Sequence, residues 1–503
     1  MRWSRILGYT FFGGALATLL AITQLALDLS HGWWIAAVLG APALLLTARL
    51  VLTENFVDDC VDRIVDAPLD SLHVYSRTFP KHRYYDFYRA AERFAAKFSF
   101  SALETTHSVP LDALLNRSFI PGSVRTLQTP PSIAIAIGPE ETTFVPSEGF
   151  WLKNQGPAGI CIVRVRTEPY GNDTILEVAA HRESDPTEVI GSIVDAASEQ
   201  SIYKGRTLEL QFQKQSADDF ENTIGGHLMD VRFLQPLVIA DTDIVLPQAT
   251  RSLLQRTVLD FYAHRRALKD LGVPGKRGLL FYGPPGTGKT YTTKYLASRL
   301  TGITTIVVSG TSLGHIRAVC NVARALQPAL VVMEDVDLVF NSRETNFTGA
   351  LLGDLMDELD GFARDDEILY VLTTNAIDRV EAAIKDRPGR ISQCVHFGAP
   401  GRDLRRMYLA SLLAPYTAQT ADLDSLAGLT EGCSQAFLKE LVHRAVQVAF
   451  ERLGSEERLA PRPATLPLDE ECFTEAIREM RAGAGRAGEA IIGFRVERAS
   501  SGL

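Results

Sequence analysis

Two apolar runs open the chain. Residues 6–27, ILGYTFFGGALATLLAITQLAL, carry no charge, and residues 32–52, GWWIAAVLGAPALLLTARLVL, carry one, Arg49, near their end. About 20 apolar residues span the hydrocarbon core of a bilayer. The link between the runs, DLSH, is too short to fold, so the pattern predicts a transmembrane helical hairpin over residues 1–54. Arg2 and Arg5 precede the first run and Arg49 closes the second, which puts both termini on the cytoplasmic side, with Trp33 and Trp34 at the outer interface. A single span or a cleaved signal would use the same residues. The first run is longer than a usual signal core, and a second run follows it. The expected location is a membrane, crossed twice, of the bacterial inner-membrane kind.

Behind the hairpin the patterns shorten. HRYYDFYRAAERFAAKF (82–98) has helical spacing and many aromatics, which suits a helix packed into a core better than one lying on lipid. GICIVRVR (159–166), TILEVAAHR (174–182) and RTLELQF (206–212) alternate like half-buried strands, and PTEVIGSIVDAASEQSIY (186–203) reads as a helix. Residues 55–236 are thus expected to form a small α+β domain. Its place between membrane and the remainder suits a substrate or adaptor role.

From residue 237 onward buried strands alternate with helices. GLLFY (278–282) and ILYVLTTN (368–375) are near-continuous apolar runs, as is LVVM (330–333), which leads into Glu334-Asp335-Val336-Asp337. Such runs mark parallel strands covered on both faces. GRDLRRMYLASLL (401–413), CSQAFLKELVHRAVQVAFERL (433–453) and LDEECFTEAIREMR (468–481) have helical spacing, and AGAGRAGEA (482–490) reads as flexible linker. The expected fold class is α/β: a module of parallel sheet and flanking helices (237–400), a helical lid (401–485) and a flexible tail (486–503).

Composition narrows the partners. The chain has 503 residues, 51 Lys and Arg against 60 Asp and Glu, and a net charge of −9. An acidic chain is poorly suited to nucleic acid, whose phosphates call for clustered basic residues, and none is expected. The six cysteines are far apart and form no CxxC pair, so neither structural zinc nor a disulfide framework is expected.

The chemistry concentrates in GPPGTGKT: Gly283, Pro284, Pro285, Gly286, Thr287, Gly288, Lys289 and Thr290. With an apolar strand before it and a helix after, this is a phosphate-binding loop. Glycines let backbone N–H groups curl around phosphates. Lys289 reaches the β- and γ-phosphates, Thr290 offers its hydroxyl to Mg²⁺, and the helix points its positive end at the anion.

With the acidic strand and the segments after it, the loop resembles the AAA (AAA+) family of ATPases, over about residues 237–485. The resemblance implies ATP and Mg²⁺ as ligands. It implies that Glu334 holds the metal, largely through water, and that Asp335 polarises the attacking water. The order is reversed, since the family usually has Asp first and Glu second. It places Asn375 at the sensor position that holds the water near the γ-phosphate. In DRPGR it makes Arg387 and Arg390 the arginine fingers that reach a neighbour's ATP, which requires a ring, usually a homohexamer. Asp243 and Ile244 would line the adenine pocket, and Ala436, in SQAFL, would lie near adenine and ribose. Threading members carry an aromatic pore residue after their second strand. Here that segment is shorter and has no aromatic between Val308 and Met333, which leaves Leu313 and His315 as the nearest candidates for pore contacts. The zinc-protease motif HExxH is absent after the lid. The expected function is a membrane-anchored ATPase ring that remodels, extracts or translocates a protein substrate at the cytoplasmic face. The alternative is a nucleotide-dependent regulatory or scaffold ring. A small-molecule kinase would need neither a sensor Asn nor paired fingers acting between subunits.

Overall fold

The computed structural model describes residues 72–95, 99–100, 103–105, 110–112, 125–127, 131–154, 160–168, 173–181, 185–212, 228–337, 358, 366–378, 391–416, 422–453, 466 and 468–491. The expected membrane hairpin and the two DRPGR arginines, Arg387 and Arg390, lie outside these. Among the described residues no helix is long and apolar enough to cross a membrane. The chain divides into two compact units, the first made of residues up to Ile135 with Phe144–Ala197, the second of Ala136–Thr143 with Ser198 onward.

In the first unit, β1 (Leu72–Pro80), β2 (Ser99–Phe100), β3 (Glu148–Asn154), β4 (Ile160–Thr167) and β5 (Asp173–His181) form an antiparallel sheet in the order β1-β5-β4-β3-β2. The helices α1 (Tyr84–Phe94) and α2 (Pro186–Glu199) contribute to one core with it. The aromatics of the 82–98 stretch act as expected of core residues: Tyr84 and Phe87 are buried, and Tyr88 meets Trp151 edge-on at 5.0 Å. Within the sheet lies a buried ion network. Arg164 bonds both Glu148 and Glu177, and Glu177 also takes Arg166 at 3.1 Å and the N–H of Leu111 at 2.9 Å. Buried charges persist only when paired and bonded in this way.

The second unit begins earlier than residue 237. The strand at 206–212, expected in the middle domain, is β6 (Thr207–Phe212). With β7 (Leu228–Phe233) it extends the sheet of the P-loop module. The reason is packing. Leu208 and Leu210 are buried with Val308 and Met333 in one core, and β6 runs parallel to β9 (Thr304–Val308), pairing Leu208 with Ile306. Next come α3 (Gln248–Leu254), which widens into a π-turn over Gln255–Asp260 and closes at Phe261–Ala263, and α4 (Arg265–Asp270). The module proper is β8 (Arg277–Tyr282), α5 (Lys289–Arg299), β9, α6 (Ile316–Ala325), β10 (Ala329–Met333), β11 (Ile368–Thr374) and β12 (Gln393–His396). The sheet order is β7-β6-β9-β10-β11-β8-β12, and all pairs from β6 to β12 are parallel. Every residue of β10 and β11 is buried. Val331 and Met333 face one core, Leu330 and Val332 the other, which is why the sequence shows an apolar run and no alternation.

The segment after β9 forms a 3₁₀ turn, Gly310–His315. Leu313 is buried in the sheet's core, and His315 stacks on Phe212 with centroids 4.5 Å apart. Ser312 donates its hydroxyl to the Leu210 carbonyl at 3.2 Å. Leu313 is therefore no pore contact, because the added β6 strand gives it a core to join, and the imidazole face of His315 is taken by Phe212.

The lid contains α7 (Arg402–Leu413), α8 (Leu423–Leu429), α9 (Gln435–Glu451) and α10 (Glu470–Ile491) around its own core of Leu409, Phe437, Leu441 and Phe473. The Ser434 hydroxyl caps α9 by accepting the N–H of Phe437. Helix α10 runs through AGAGRAGEA to Ile491, where a linker and then a tail from 486 were expected. Its three glycines cost roughly 1 kcal/mol each relative to alanine, but the alternating alanines favour helix and propagation adds a hydrogen bond per residue. Among the described cysteines, the thiols of Cys161, Cys320, Cys433 and Cys472 are buried and that of Cys394 is exposed.

Removing the buried Leu330 side chain from the centre of the sheet is expected to destabilise the module. Leu330→Ala should cost about 2–5 kcal/mol, read from the denaturant midpoint of the module's transition.

Candidate nucleotide site

Three neighbouring parallel strands, β10, β11 and β8, end at the same edge of the sheet, where α/β folds bind ligands. Glu334 and Asp335 follow β10, Asn375 follows β11, and the Gly-rich loop follows β8. The sheet thus gathers residues about 90 positions apart in sequence.

The loop needs its glycines for closeness as well as for torsion. Gly283 has φ 145°, and a Cβ there would sit 2.0 Å from the Phe397 carbonyl oxygen. Gly286 has φ 76°, and a Cβ would meet Ala436 Cβ at 2.8 Å and Ser434 Oγ at 2.9 Å. The Ala436 N–H donates to the Gly286 carbonyl at 3.0 Å. Ala436, expected near adenine, is therefore fastened to the phosphate loop by its backbone, and its side chain is exposed. Thr287 bonds the Pro284 carbonyl at 2.8 Å, and Pro284 and Pro285 are exposed.

Lys289, the first residue of α5, is largely buried. Its ammonium donates to the carbonyls of Gly283 and Pro284 and to Asn375 Oδ1, each at 2.8 Å. These contacts match its three protons. Burial holds its pKa below the usual lysine range, an effect opposed by the charges of Asp335 and Asp337. The other end of the Asn375 amide, Nδ2, donates to Asp335 Oδ1 at 3.0 Å. The ammonium only donates and the carboxylate only accepts, so the chemistry dictates which way the amide points.

Past β10 the chain turns sharply. The Glu334 N–H still bonds the Val308 carbonyl at 3.0 Å, while Asp335 has φ 51°. That left-handed conformation costs an L-residue roughly 1–2 kcal/mol, and Asp is among those that tolerate it. The Thr373 hydroxyl accepts the Asp335 N–H at 3.0 Å and holds the turn. Asp335 is thereby brought to the Asn375 amide, and Glu334 and Asp335 are both half-buried. Thr373, Thr374 and Asp337 were missed as site residues. The Thr-Thr pair at the end of a buried strand, beside the strand that leads into the acids, was the available signal.

The groups present suit a nucleoside triphosphate. Loop N–H groups at the start of α5 and the Lys289 ammonium match phosphate oxygens. The Thr290 hydroxyl, exposed at the start of α5, and the carboxylate of Glu334 are hard oxygen donors of the kind Mg²⁺ takes. Among the described residues there is no cluster of three or more His, Cys, Asp or Glu side chains that could hold a metal ion.

The two expected adenine residues differ. Ile244 is buried with Leu254, Val258 and Phe261 in the core under α3. Asp243 is exposed, its carboxylate accepting the Ala240 N–H at 3.0 Å. Nearby, Asp241 accepts the Tyr295 hydroxyl at 2.7 Å, which lowers the pKa of its carboxyl and ties this segment to α5.

Fold and site together define a P-loop nucleotide-binding module with a helical lid. Residues 279–399 match the ATPase family associated with various cellular activities (AAA), so the chain carries an AAA ATPase domain, the kind of domain that hydrolyses ATP. Over 220 residues it is 31% identical to the ATPase family gene 2 protein of Schizosaccharomyces pombe, a match covering 42% of this chain and 27% of that one. Over 223 residues it is 30% identical to the ATP-dependent zinc metalloprotease FtsH 2 of Thermoanaerobacter sp., covering 40% of this chain and 42% of the other. The chain spans less than half the length of these curated relatives.

Adding a side chain at Gly286 should disturb both the loop torsion and the seat of the lid. Gly286→Val is expected to weaken ATP binding at least about tenfold, the equivalent of about 1.4 kcal/mol, in a titration with a fluorescent ATP analogue.

Proposed function

We propose that this protein is a membrane-anchored ATPase ring that hydrolyses ATP to remodel, extract or translocate proteins at the cytoplasmic face. The observation that carries the hydrolytic part is the Lys289–Asn375–Asp335 chain, in which a phosphate-binding cation, a sensor amide and an acid are linked by bonds of 2.8 and 3.0 Å. Names of relatives that include an ATPase and an ATP-dependent protease support work on proteins. The apolar runs at 6–27 and 32–52 support the anchor.

In this mechanism Lys289 exchanges its bonds to the loop carbonyls and to Asn375 for phosphate oxygens. Asn375 then holds the attacking water, and Asp335, already aimed at that amide, polarises it. Mg²⁺ held by Thr290 and, through water, by Glu334 would neutralise phosphate charge. Phosphoryl transfer of this kind depends on positioning and charge more than on a tuned base, so the reversed acids are compatible with turnover. Arg387 and Arg390 act from the neighbouring subunit, and the assembly is a homohexamer.

One observation favours the second reading, a regulatory or scaffold ring with little threading. The segment in the pore-loop position is a short 3₁₀ turn whose Leu313 is buried in the core and whose His315 is stacked on β6. Such a segment has little to grip a chain with.

The test is Mg²⁺-dependent ATPase activity of the full chain in detergent or nanodiscs. The rate per subunit is expected to rise with protein concentration, and a rate that stays flat down to monomer would remove the fingers acting between subunits. Lys289→Ala should abolish nucleotide binding. Asp335→Asn should bind ATP and lose hydrolysis, and normal turnover in it together with a dead Glu334→Gln would reverse the roles given to the two acids. Proteins trapped in membranes by Asp335→Asn would identify the substrate.

A further inference from the structure

Asp337 stands two residues beyond the acid pair and is buried, with 7% of its surface exposed. A carboxylate removed from water is costly unless its oxygens are bonded. Here one oxygen, Oδ1, accepts twice, from the Thr374 hydroxyl at 2.9 Å and from the Asn375 backbone N–H at 3.1 Å. The Thr374 hydroxyl in turn accepts the N–H of Ala376 at 3.0 Å. A single carboxylate on the loop after β10 thus holds three successive residues at the end of β11. The middle one is Asn375, whose side chain bridges Lys289 and Asp335.

We infer that Asp337 is a positioning residue of the ATPase site, fixing the backbone at Asn375 so that its amide stays between Lys289 and Asp335. The inference rests on the hydrolytic activity proposed above. Asn375 is exposed, and its amide is held by its two side-chain partners. Its main chain is the part that Asp337 holds. The carboxylate bonds none of Lys289, Asp335 or the phosphate loop, so its effect on turnover passes through Asn375. A second effect is electrostatic. Asp337 is one of two negative charges that act on the Lys289 ammonium, and only hydrolysis and nucleotide affinity measured side by side separate charge from placement.

Two substitutions make that separation. Asp337→Ala frees the Asn375 main chain. Misplacing a catalytic group by about 1 Å costs on the order of 100-fold, so kcat is expected to fall roughly 10- to 100-fold, with the dissociation constant for ATP unchanged within about threefold. Asp337→Asn keeps an acceptor and loses the charge, and it should retain kcat within about fivefold. Thr374→Val removes the hydroxyl that links Asp337 to Ala376 and should lose kcat in the same direction, with recovery in Thr374→Ser. It decides the matter if Asp337→Ala does not fold. The inference is overturned if Asp337→Ala turns over at the wild-type rate, or if binding and turnover fall together in both Asp337→Ala and Thr374→Val, which is the mark of a purely structural role. A wild-type chain that binds ATP without hydrolysing it would instead overturn the activity on which the inference rests.

Discussion

An amide side chain can satisfy a cation and a carboxylate at once only if its backbone is held still. That constraint organises the nucleotide site. Asn375 offers its oxygen to Lys289 and its NH₂ to Asp335, three residues that follow three different strands. The arrangement exists because β10, β11 and β8 are adjacent and parallel, so their carboxyl ends share one edge. Parallel strands need crossovers and coverage on both faces. The two hydrophobic cores either side of the sheet, with Met333 and Val331 on one and Leu330 and Val332 on the other, are therefore a condition of the chemistry as much as of stability.

The same edge shapes the acid pair. Asp is shorter than Glu by one methylene, and the left-handed turn at Asp335, braced by the Thr373 hydroxyl, brings its carboxylate to the Asn375 amide. Non-glycine residues in that region carry strain that surrounding contacts must outweigh. The turn is supported from β11, the strand that also leads into Asn375, so the acid and the amide share one frame.

Elsewhere the module departs from a minimal five-stranded core. The β6–β7 hairpin is added beside β9 and covers what would have been an open sheet edge. It also gives Leu313, Ser312 and His315 something to pack on. Leu313, in the short segment after β9, is consequently drawn into the core. On the opposite side of the site, the Ala436 N–H and the Gly286 carbonyl join lid to phosphate loop. A glycine at 286 is required there by contact with the lid as well as by its torsion.

Much of this was legible in one dimension. The Gly-rich loop, the apolar runs of β8, β10 and β11, the acids and Asn375 were all recognisable, because phosphate binding demands glycines at set spacing and doubly covered strands leave no polar positions. The lid helices were legible from their period, and so was the core role of Tyr84 and Phe87. What the sequence could not settle was adjacency. The alternation in RTLELQF shows a half-buried strand but not which sheet it joins, and only packing with Val308 and Met333 assigns it to the ATPase module. Leu313 looked available until β6 covered it. The bond between the Ala436 N–H and the Gly286 carbonyl was not legible in SQAFL either. The glycines of AGAGRAGEA pointed to a linker, yet the segment continues α10, since local propensity is weaker than helix propagation. Asp337 was visible as a letter in MEDVD and invisible as a brace, because its partners, Thr374 and Asn375, are about 38 residues away and are brought to it by the β10–β11 pairing alone.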